Sequence, residues 1–326
     1  MKTLALALLL ALAAIHLSAQ AVIPPALSWP SNFPVYDHIV IVIEENKNYE
    51  EIIGNNNAPY INDVLKKEGA NLTQMYAEEH HSEGNYFWLF SGNNQKVGYL
   101  NDIPQSAINA TNLGSELIRT GHSFKGYSEG LPEIGSTVAK QGLYARKHCP
   151  WVSFSNLPNG HTIADSSNLR FAQDFPTDFS NLPTVAFVIP NLANDMHDGR
   201  PKTSIPAGDR WLRRSLDAYY QWAKQHNSLL ILTFDESDES TFIGGVTNPA
   251  DRDPRKRNRI LTILAGARIK PGNYPEDKGV THVNLLRTLE AMYKLNKSGA
   301  QPWNALKANI SDDYLIKDIF DNLSQK

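Results

Sequence analysis

Apolar residues in this chain come in short unbroken runs, and several of those runs stop abruptly on acidic residues. Residues 39–43 are five consecutive β-branched apolar side chains, followed with no turn residue by Glu44, Glu45 and Asn46. Such a run predicts a strand buried on both faces, as in a parallel sheet. Residues 228–238, SLLILTFDESD, repeat the layout and end on Asp235, Glu236 and Asp238. Residues 185–189 form a third buried run, closed by Pro190, with Asp195, His197 and Asp198 just beyond it.

The remaining elements follow from periodicity. A helix is expected from about residue 58, where Pro59 is tolerated in a first turn, with Tyr60, Ile61, Val64 and Leu65 on one face and Gly69 as its stop. Residues 72–77 read as a second strand. A helix should begin at Ser82 and run through the apolar segment 87–90. Residues 114–120 look helical and 122–127 extended. Residues 131–180, rich in Gly, Pro, Ser and Asn, read as long loops with short elements, an insertion suited to shaping a pocket. Residues 209–224 form an amphipathic helix leading into the strand at 229–234. Residues 260–265 are the last clear strand, and a helix with Leu285, Leu286, Leu289, Met292 and Tyr293 on one face opens at His282. Alternating helices and buried strands predict an α/β fold with a mostly parallel central sheet and helices on both faces.

Ligands bind outside the carboxyl ends of strands in open α/β sheets. If the acidic runs are sheet neighbours, their carboxylates converge on one edge. Such repulsion requires protons or a cation, which predicts a divalent metal ion. Oxygen-rich sites accept Ca²⁺, Mg²⁺ or Mn²⁺ and histidine-containing ones Zn²⁺, so the ion stays open. The plain alternative at each place is a solvated turn rich in Asn and Asp. Ser82 has two readings as well: an N-cap serine, or a nucleophile at the positive end of a helix, with His80, His81 and Asn85 beside it. His282 is either a helix-start residue or one aimed at the site.

Composition narrows the class. Lys2, the apolar stretch 4–14 and Ala19-Gln20-Ala21 form a cleavable leader over residues 1–21. Its apolar core is shorter than the ~20 residues a membrane span needs, which predicts a secreted or periplasmic protein with no stable membrane insertion. Without the leader, 30 basic residues face 34 acidic ones, a net charge of −4. That balance argues against nucleic acid as a partner. Residues 22–36 are a proline-rich extended lead-in, and 37–326 are read as one domain. Cys149 is the only cysteine, so no intramolecular disulfide exists, and it is read as structural. A basic run, Arg252, Arg255, Lys256, Arg257 and Arg259, reads as solvated surface, with attraction of an anionic substrate as the minority reading.

Taken in order, HIVIVIEENKNYEEIIG, EEHHSEGNYFWLFSG, PNLANDMHDG, LTFDESD and THVNLLRTLE resemble the bacterial phosphoesterase family of secreted acid phosphatases and phospholipases C. The resemblance spans about residues 37–293 and implies an alkaline-phosphatase-like fold. By position it implies a metal held by Glu45, Asn46, Ser82, Asp235 and Glu236, with Ser82 as the nucleophile that becomes phosphorylated. It implies His197 and His282 as catalytic residues, His80 and Asn85 at the phosphate, and Glu44 as a supporting residue. This chain departs from the family's His-Pro-Ser-x-Pro-Asn-Tyr pattern: His81 and Gly84 replace the prolines, which predicts a looser loop. The implied activity is a phosphomonoesterase acting on a small phosphorylated substrate or a phosphorylated lipid head group. Phospholipase C is the alternative. A binding protein that has lost catalysis is opposed by the intact residue set.

Overall fold

The computed structural model describes residues 29–30, 32–97, 106–238, 258–276 and 279–321. The expected leader, the first part of the lead-in and the basic run up to Arg257 lie outside these residues. The strands, in chain order, are β1 (His38–Glu44), β2 (Ala70–Leu72), β3 (Met75–Tyr76), β4 (Phe124–Ser128), β5 (Lys140–Gln141), β6 (Tyr144–Ala145), β7 (Asn168–Arg170), β8 (Val185–Ile189), β9 (Ser228–Phe234), β10 (Arg259–Ile260), β11 (Thr262–Gly266), β12 (Gly272–Tyr274) and β13 (Val280–Thr281). The α-helices are α1 (Tyr49–Ile52), α2 (Lys66–Glu68), α3 (Ser82–Ser91), α4 (Leu113–Arg119), α5 (Phe171–Asp174), α6 (Pro201–Ala223), α7 (His282–Tyr293) and α8 (Trp303–Lys307).

Eight strands form the main sheet in the order β12-β2-β11-β9-β1-β8-β4-β7. Only β11 runs against its neighbours; the other pairings are parallel. This is the mostly parallel α/β sheet expected. The two longest strands, β1 and β9, lie side by side at its centre, and consecutive residues along both are buried, so both faces are covered. That suits their β-branched and leucine composition. β8 flanks β1 on the other side. The three runs with polar ends are therefore adjacent, and their ends share one edge of the sheet.

Several boundaries differ from expectation. Residues 72–77 are two strands, because a turn at Thr73-Gln74 ends β2 in the main sheet and starts β3 in a small sheet ordered β10-β3-β13. The expected strand 260–265 likewise breaks at Leu261, between β10 and β11. The helix expected from residue 58 is a π-helical turn, Tyr60–Leu65, running into α2, with Asp209 accepting from the backbone N–H groups of Tyr60 and Ile61 at 3.1 and 2.9 Å. α6 starts at Pro201, eight residues before the expected 209, and carries Pro206 inside it. The polar, proline-containing stretch hid its periodicity. The insertion 131–180 supplies β7 to the sheet edge, a three-residue strand with no alternation to read.

The insertion is anchored by aromatic packing. Trp151 lies against Gly126 of β4 so closely that a Cβ there would fall 2.1 Å from the indole. Phe90 of α3 packs on Phe124, Phe154 and Phe187 at centroid separations of 5.3–5.6 Å. These contacts, each about 0.5–1.5 kcal/mol beyond area burial, fix α3 and the 3₁₀ segments Arg146–His148 and Pro150–Ser153 against the sheet. Arg259, from the basic run, is taken up structurally: it pairs with Glu50 at 2.6 Å and lies 4.0 Å over the Tyr49 ring.

Candidate active site

Glu44 pairs in register with Phe234, so Glu45 and Asp235 leave β1 and β9 level with each other. Asn46 then adopts φ 38°, a left-handed conformation asparagine tolerates. This turn lets its N–H donate to Asp235 Oδ1 at 3.1 Å and its Nδ2 donate to Glu236 Oε1 at 3.1 Å. The two strand ends are thus stitched together by asparagine.

α3 aims Ser82 at this pair. All ten residues of the helix are buried, and its N-cap is His81, so Ser82 is the first helical residue. The N-cap reading of Ser82 is overturned: its hydroxyl turns to Glu236 Oε1 at 3.1 Å, Glu45 Oε2 at 3.2 Å and Asn46 Oδ1 at 3.3 Å. His81 sits at φ 147°, a conformation rare for a side-chain-bearing residue and closed to proline, whose ring fixes φ near −65°. Its N–H donates to Glu236 Oε2 at 3.0 Å, and His80 Nδ1 lies 2.9 Å from the same oxygen. Gly84 leaves room for Glu79, whose Oε1 would stand 1.8 Å from a Cβ there. Neither proline at position 81 nor a Cβ at position 84 fits this path of the loop. The loop is held in place: Asn85 Oδ1 accepts from the N–H groups of Glu78 and Glu79 at 3.1 and 3.2 Å, and Asn258 Nδ2 donates to the Glu79 carbonyl at 2.7 Å.

His148 and Asp195 complete the surroundings of Glu45. His148 stacks on Tyr86 at 5.1 Å and places Nε2 3.1 Å from Glu45 Oε1, close but not aligned for a hydrogen bond. Tyr86 donates to the same Oε1 at 2.7 Å. The Asp195 carbonyl accepts from the Glu45 N–H at 2.7 Å. Sequence reasoning missed His148. It lies in a loop-rich stretch without periodicity, and no spacing links it to the strand ends.

The charges cannot all coexist unaided. Burial and the neighbouring Glu45 push Asp195 up to about 8. Burial, with Glu45 and Glu236, pushes Asp235 well above the usual carboxylate range. Glu44 is raised likewise by burial and by Asp195. Burial acts on Glu45 too, but His148, Lys147, His197 and the Tyr86 hydrogen bond outweigh it and hold that carboxyl below its ordinary value. Burial drives His148 down to about 4; only below that does its charge pull on Glu45, and above it the neutral imidazole is able to act as a ligand.

The residues fit a divalent cation. One serine proton cannot serve three acceptor oxygens within 3.3 Å, so most of these contacts set oxygen against oxygen. Asp235 Oδ2 is buried with no hydrogen-bond partner among the described residues. Beside this cluster, Glu45, His148 and Asp195 form a buried group whose ligand atoms lie within 4.8 Å of one another and which could hold a metal ion.

The other expected residues divide. His197 is exposed on the wall of a cavity that has Glu45 in its lining; its Nδ1 is 2.8 Å from Asp198. His282 is not on that wall. It is buried, its Nε2 donates to the Phe234 carbonyl at 2.8 Å, and its Nδ1 faces Glu78 Oε2 at 2.8 Å. Asn85 also turns inward, to the backbone of its own loop. Among the described residues no helix is long and apolar enough to cross a membrane.

The sequence profile of the Phosphoesterase family matches residues 55–296. The phosphatidylinositol-3-phosphatase of Mycobacterium tuberculosis is 45% identical over 269 residues, covering 82% of this chain and 81% of that protein. A probable acid phosphatase of Kluyveromyces lactis is 27% identical, over 83% of this chain but only 61% of its own length. Among solved structures, a protein in the alkaline phosphatase superfamily from Vibrio parahaemolyticus superposes with a TM-score of 0.58 at 14% identity, over 89% of this chain and 73% of that one. That last likeness concerns the fold alone. The profile match over most of the length and the mycobacterial relative show that this chain belongs to the phosphoesterase family and is a hydrolase acting on phosphoric esters.

Proposed function

We propose that the chain is a metal-dependent phosphomonoesterase in which Ser82 takes up the phosphoryl group. The observation that carries this reading is the Ser82 hydroxyl, within 3.3 Å of three side-chain oxygens from two adjacent strand ends. A divalent cation held by Glu45, Asn46, Ser82, Asp235 and Glu236 would lower the hydroxyl pKa and offset charge on the phosphoryl oxygens. Glu236 Oε1, the nearest carboxylate oxygen at 3.1 Å, accepts the hydroxyl proton and returns it when the phosphoserine is hydrolysed. Ser82 Oγ forms a bond to phosphorus as the bond from phosphorus to the leaving oxygen breaks. His197, exposed at the cavity wall, gives the leaving oxygen its proton. Water then attacks the phosphoserine, releasing inorganic phosphate and restoring the hydroxyl. His80, held by Glu236, orients the phosphoryl group. Asn85 and His282 have their polar atoms engaged with protein groups, so they act by positioning the Ser82 loop and the end of β9.

The monoester reading rests on the relatives, whose names are phosphatases. The mycobacterial one makes a phosphoinositide monoester the substrate to try first; phosphodiester cleavage of a phospholipid is the alternative. A contiguous apolar core from Phe33 to Phe320 supports one domain over residues 37–326. The leader sequence supports export to the periplasm or medium. The decisive experiment is acid quenching during turnover of a phosphate-labelled monoester, with and without chelator, followed by peptide mapping. Phosphate on Ser82, absent from Ser82→Ala and from the chelated protein, is the expected result. A fully active Ser82→Ala variant would remove the nucleophile assignment.

A further inference from the structure

The cavity beside Glu45 holds about 350 Å³ and is lined by Lys140, Ala145, Lys147, Leu192 and His197, with Asp198 at its rim. That volume is at the small end for ligand pockets, about 300–1,000 Å³. It can hold a phosphorylated polyol. Lys140 lies on the first arm of the β5–β6 hairpin and Lys147 in the 3₁₀ segment that follows its second arm; Lys140 pairs with Ala145, and the Arg146 N–H extends the ladder to the Ala139 carbonyl at 2.9 Å. The base of the hairpin is fixed by His148 against Tyr86 and by Trp151 on β4. The lysine backbones are therefore set by core packing, although their side chains reach into solvent.

Among the described residues, neither ammonium has a carboxylate within ion-pair distance, whereas Asp198 is already taken by His197 at 2.8 Å. Exposed lysines are often only solvated. Here both line a cavity that also has Glu45 in its wall; Lys147 acts on the Glu45 carboxyl through space, but neither lysine is fixed in an ion pair among the described residues. Ser82 does not line this cavity, whereas His197, the proposed donor to the leaving oxygen, does, so the two cations face the leaving-group side of the substrate rather than the reacting phosphate.

We infer that Lys140 and Lys147 form an anion-recognising subsite, and that the substrate is a phosphomonoester carrying a second phosphate on a small polyol. The inference rests on the phosphomonoesterase reading and narrows its substrate class. The second phosphate donates no atom to the reaction; the lysines bind it through charge-assisted hydrogen bonds and so orient the reacting phosphate toward Ser82. A lipid head group and a free sugar bisphosphate offer the same chemistry.

The test compares kcat/KM of the full-length, metal-loaded protein on p-nitrophenyl phosphate, soluble inositol 1,3-bisphosphate, and phosphatidylinositol 3-phosphate in phosphatidylcholine vesicles. Wild type, Lys140→Ala, Lys147→Ala, the double alanine variant and the double arginine variant are assayed. The preference for two-phosphate over one-phosphate substrates should fall at least about tenfold in the double alanine variant, mainly through KM, and be retained with arginine. Loss confined to the vesicle substrate identifies a lipid head group; loss on both identifies the polyol phosphate itself. Equal loss on all three substrates, or no loss on any, overturns the subsite. A wild type inactive on every monoester defeats the phosphomonoesterase reading instead, and one active on p-nitrophenyl phosphate without preferring a second phosphate defeats the subsite alone.

Discussion

Glu45 and Asp235 leave two neighbouring parallel strands at the same level, because Glu44 and Phe234 are register partners and the Asp235 N–H donates to the Glu44 carbonyl at 3.0 Å. One hydrogen-bonded ladder thus brings together side chains that lie 190 positions apart in sequence, such as those of Asn46 and Glu236. Parallel pairing makes this convergence automatic: chains running the same way present the same kind of end to the same edge.

The first prediction concerns metal. Glu45→Gln, Asp235→Asn and Glu236→Gln should each lower bound divalent metal and activity together. Losing a partner one step removed from a metal costs about 10–100-fold in affinity, and a direct oxygen ligand should cost at least as much. The metal-free Asp235→Asn protein should nevertheless be more stable than metal-free wild type, because a buried, repelled carboxyl has gone. Elemental analysis and urea denaturation check both halves. Retained metal content together with lost activity would place these residues outside the coordination sphere.

The second prediction concerns pH. In the metal-free folded protein Asp195 keeps its proton up to about pH 8, whereas an unfolded aspartate has released it near 3.8. Folding therefore favours the protonated form, and raising the pH through this interval removes stability. Asp235 and Glu44 are raised in the same direction. His148, lowered to about 4 from 6.5, acts oppositely, but only below pH 6.5. The clean window is pH 6.5 to 8, where Asp195 alone accounts for a loss of about 1–2 kcal/mol. The Tm of chelator-treated protein should fall across that window, and the Tm gain from added divalent cation should grow, since the cation competes with those protons. A flat or rising Tm in chelator would contradict the charge argument.

The third prediction separates two histidines. His282→Phe leaves Glu78 buried without its imidazole and releases the Phe234 carbonyl, so it should destabilise the protein by about 3 kcal/mol or more. His197 is exposed, so His197→Ala should change stability by less than about 0.5 kcal/mol. Its kcat should still fall about 10²–10⁴-fold if it protonates the leaving oxygen. Urea titration, and kcat on glycerol phosphate, whose alkoxide oxygen must be protonated to leave, decide this. A stable, inactive His282→Phe would return that residue to the chemistry.

What could be read beforehand divides along a physical line. β1 and β9 were legible because an unbroken β-branched or leucine run with a polar stop fits little besides a buried strand, and Glu45, Asn46, Asp235 and Glu236 came with them. Ser82 was reachable through the resemblance, since a serine beginning a helix looks like a cap until its tertiary neighbours are known. His148 was illegible because its position depends on Trp151 packing against Gly126, a contact between a loop and a strand with no sequence period. Asn85 and His282 sit at helix starts, where side-chain direction is set by partners such as Glu78 rather than by spacing. β2 and β3 merged in the reading because Thr73-Gln74 carries neither glycine nor proline.

The last prediction addresses the loop before Ser82. A proline at position 81, which the resemblance leads one to expect, is incompatible with this chain in two ways. Its ring holds φ near −65°, whereas His81 stands at 147°. It also lacks the N–H that His81 donates to Glu236 Oε2 at 3.0 Å. Restoring the prolyl residue alone should therefore release Glu236 from the loop, shift Ser82 and cost about 3 kcal/mol, with activity down at least about 100-fold. His81→Gly is the control: it keeps the N–H and adopts positive φ without steric cost, so it should retain most of the activity. Putting proline at position 84 as well would not repair the defect, because Glu79 occupies the space beside Gly84. Circular dichroism and thermal melts report the fold, and p-nitrophenyl phosphate turnover reports the site. Full activity in His81→Pro would mean that the loop reaches Ser82 equally well by the proline path, and that the positive φ at His81 serves no purpose in the reaction.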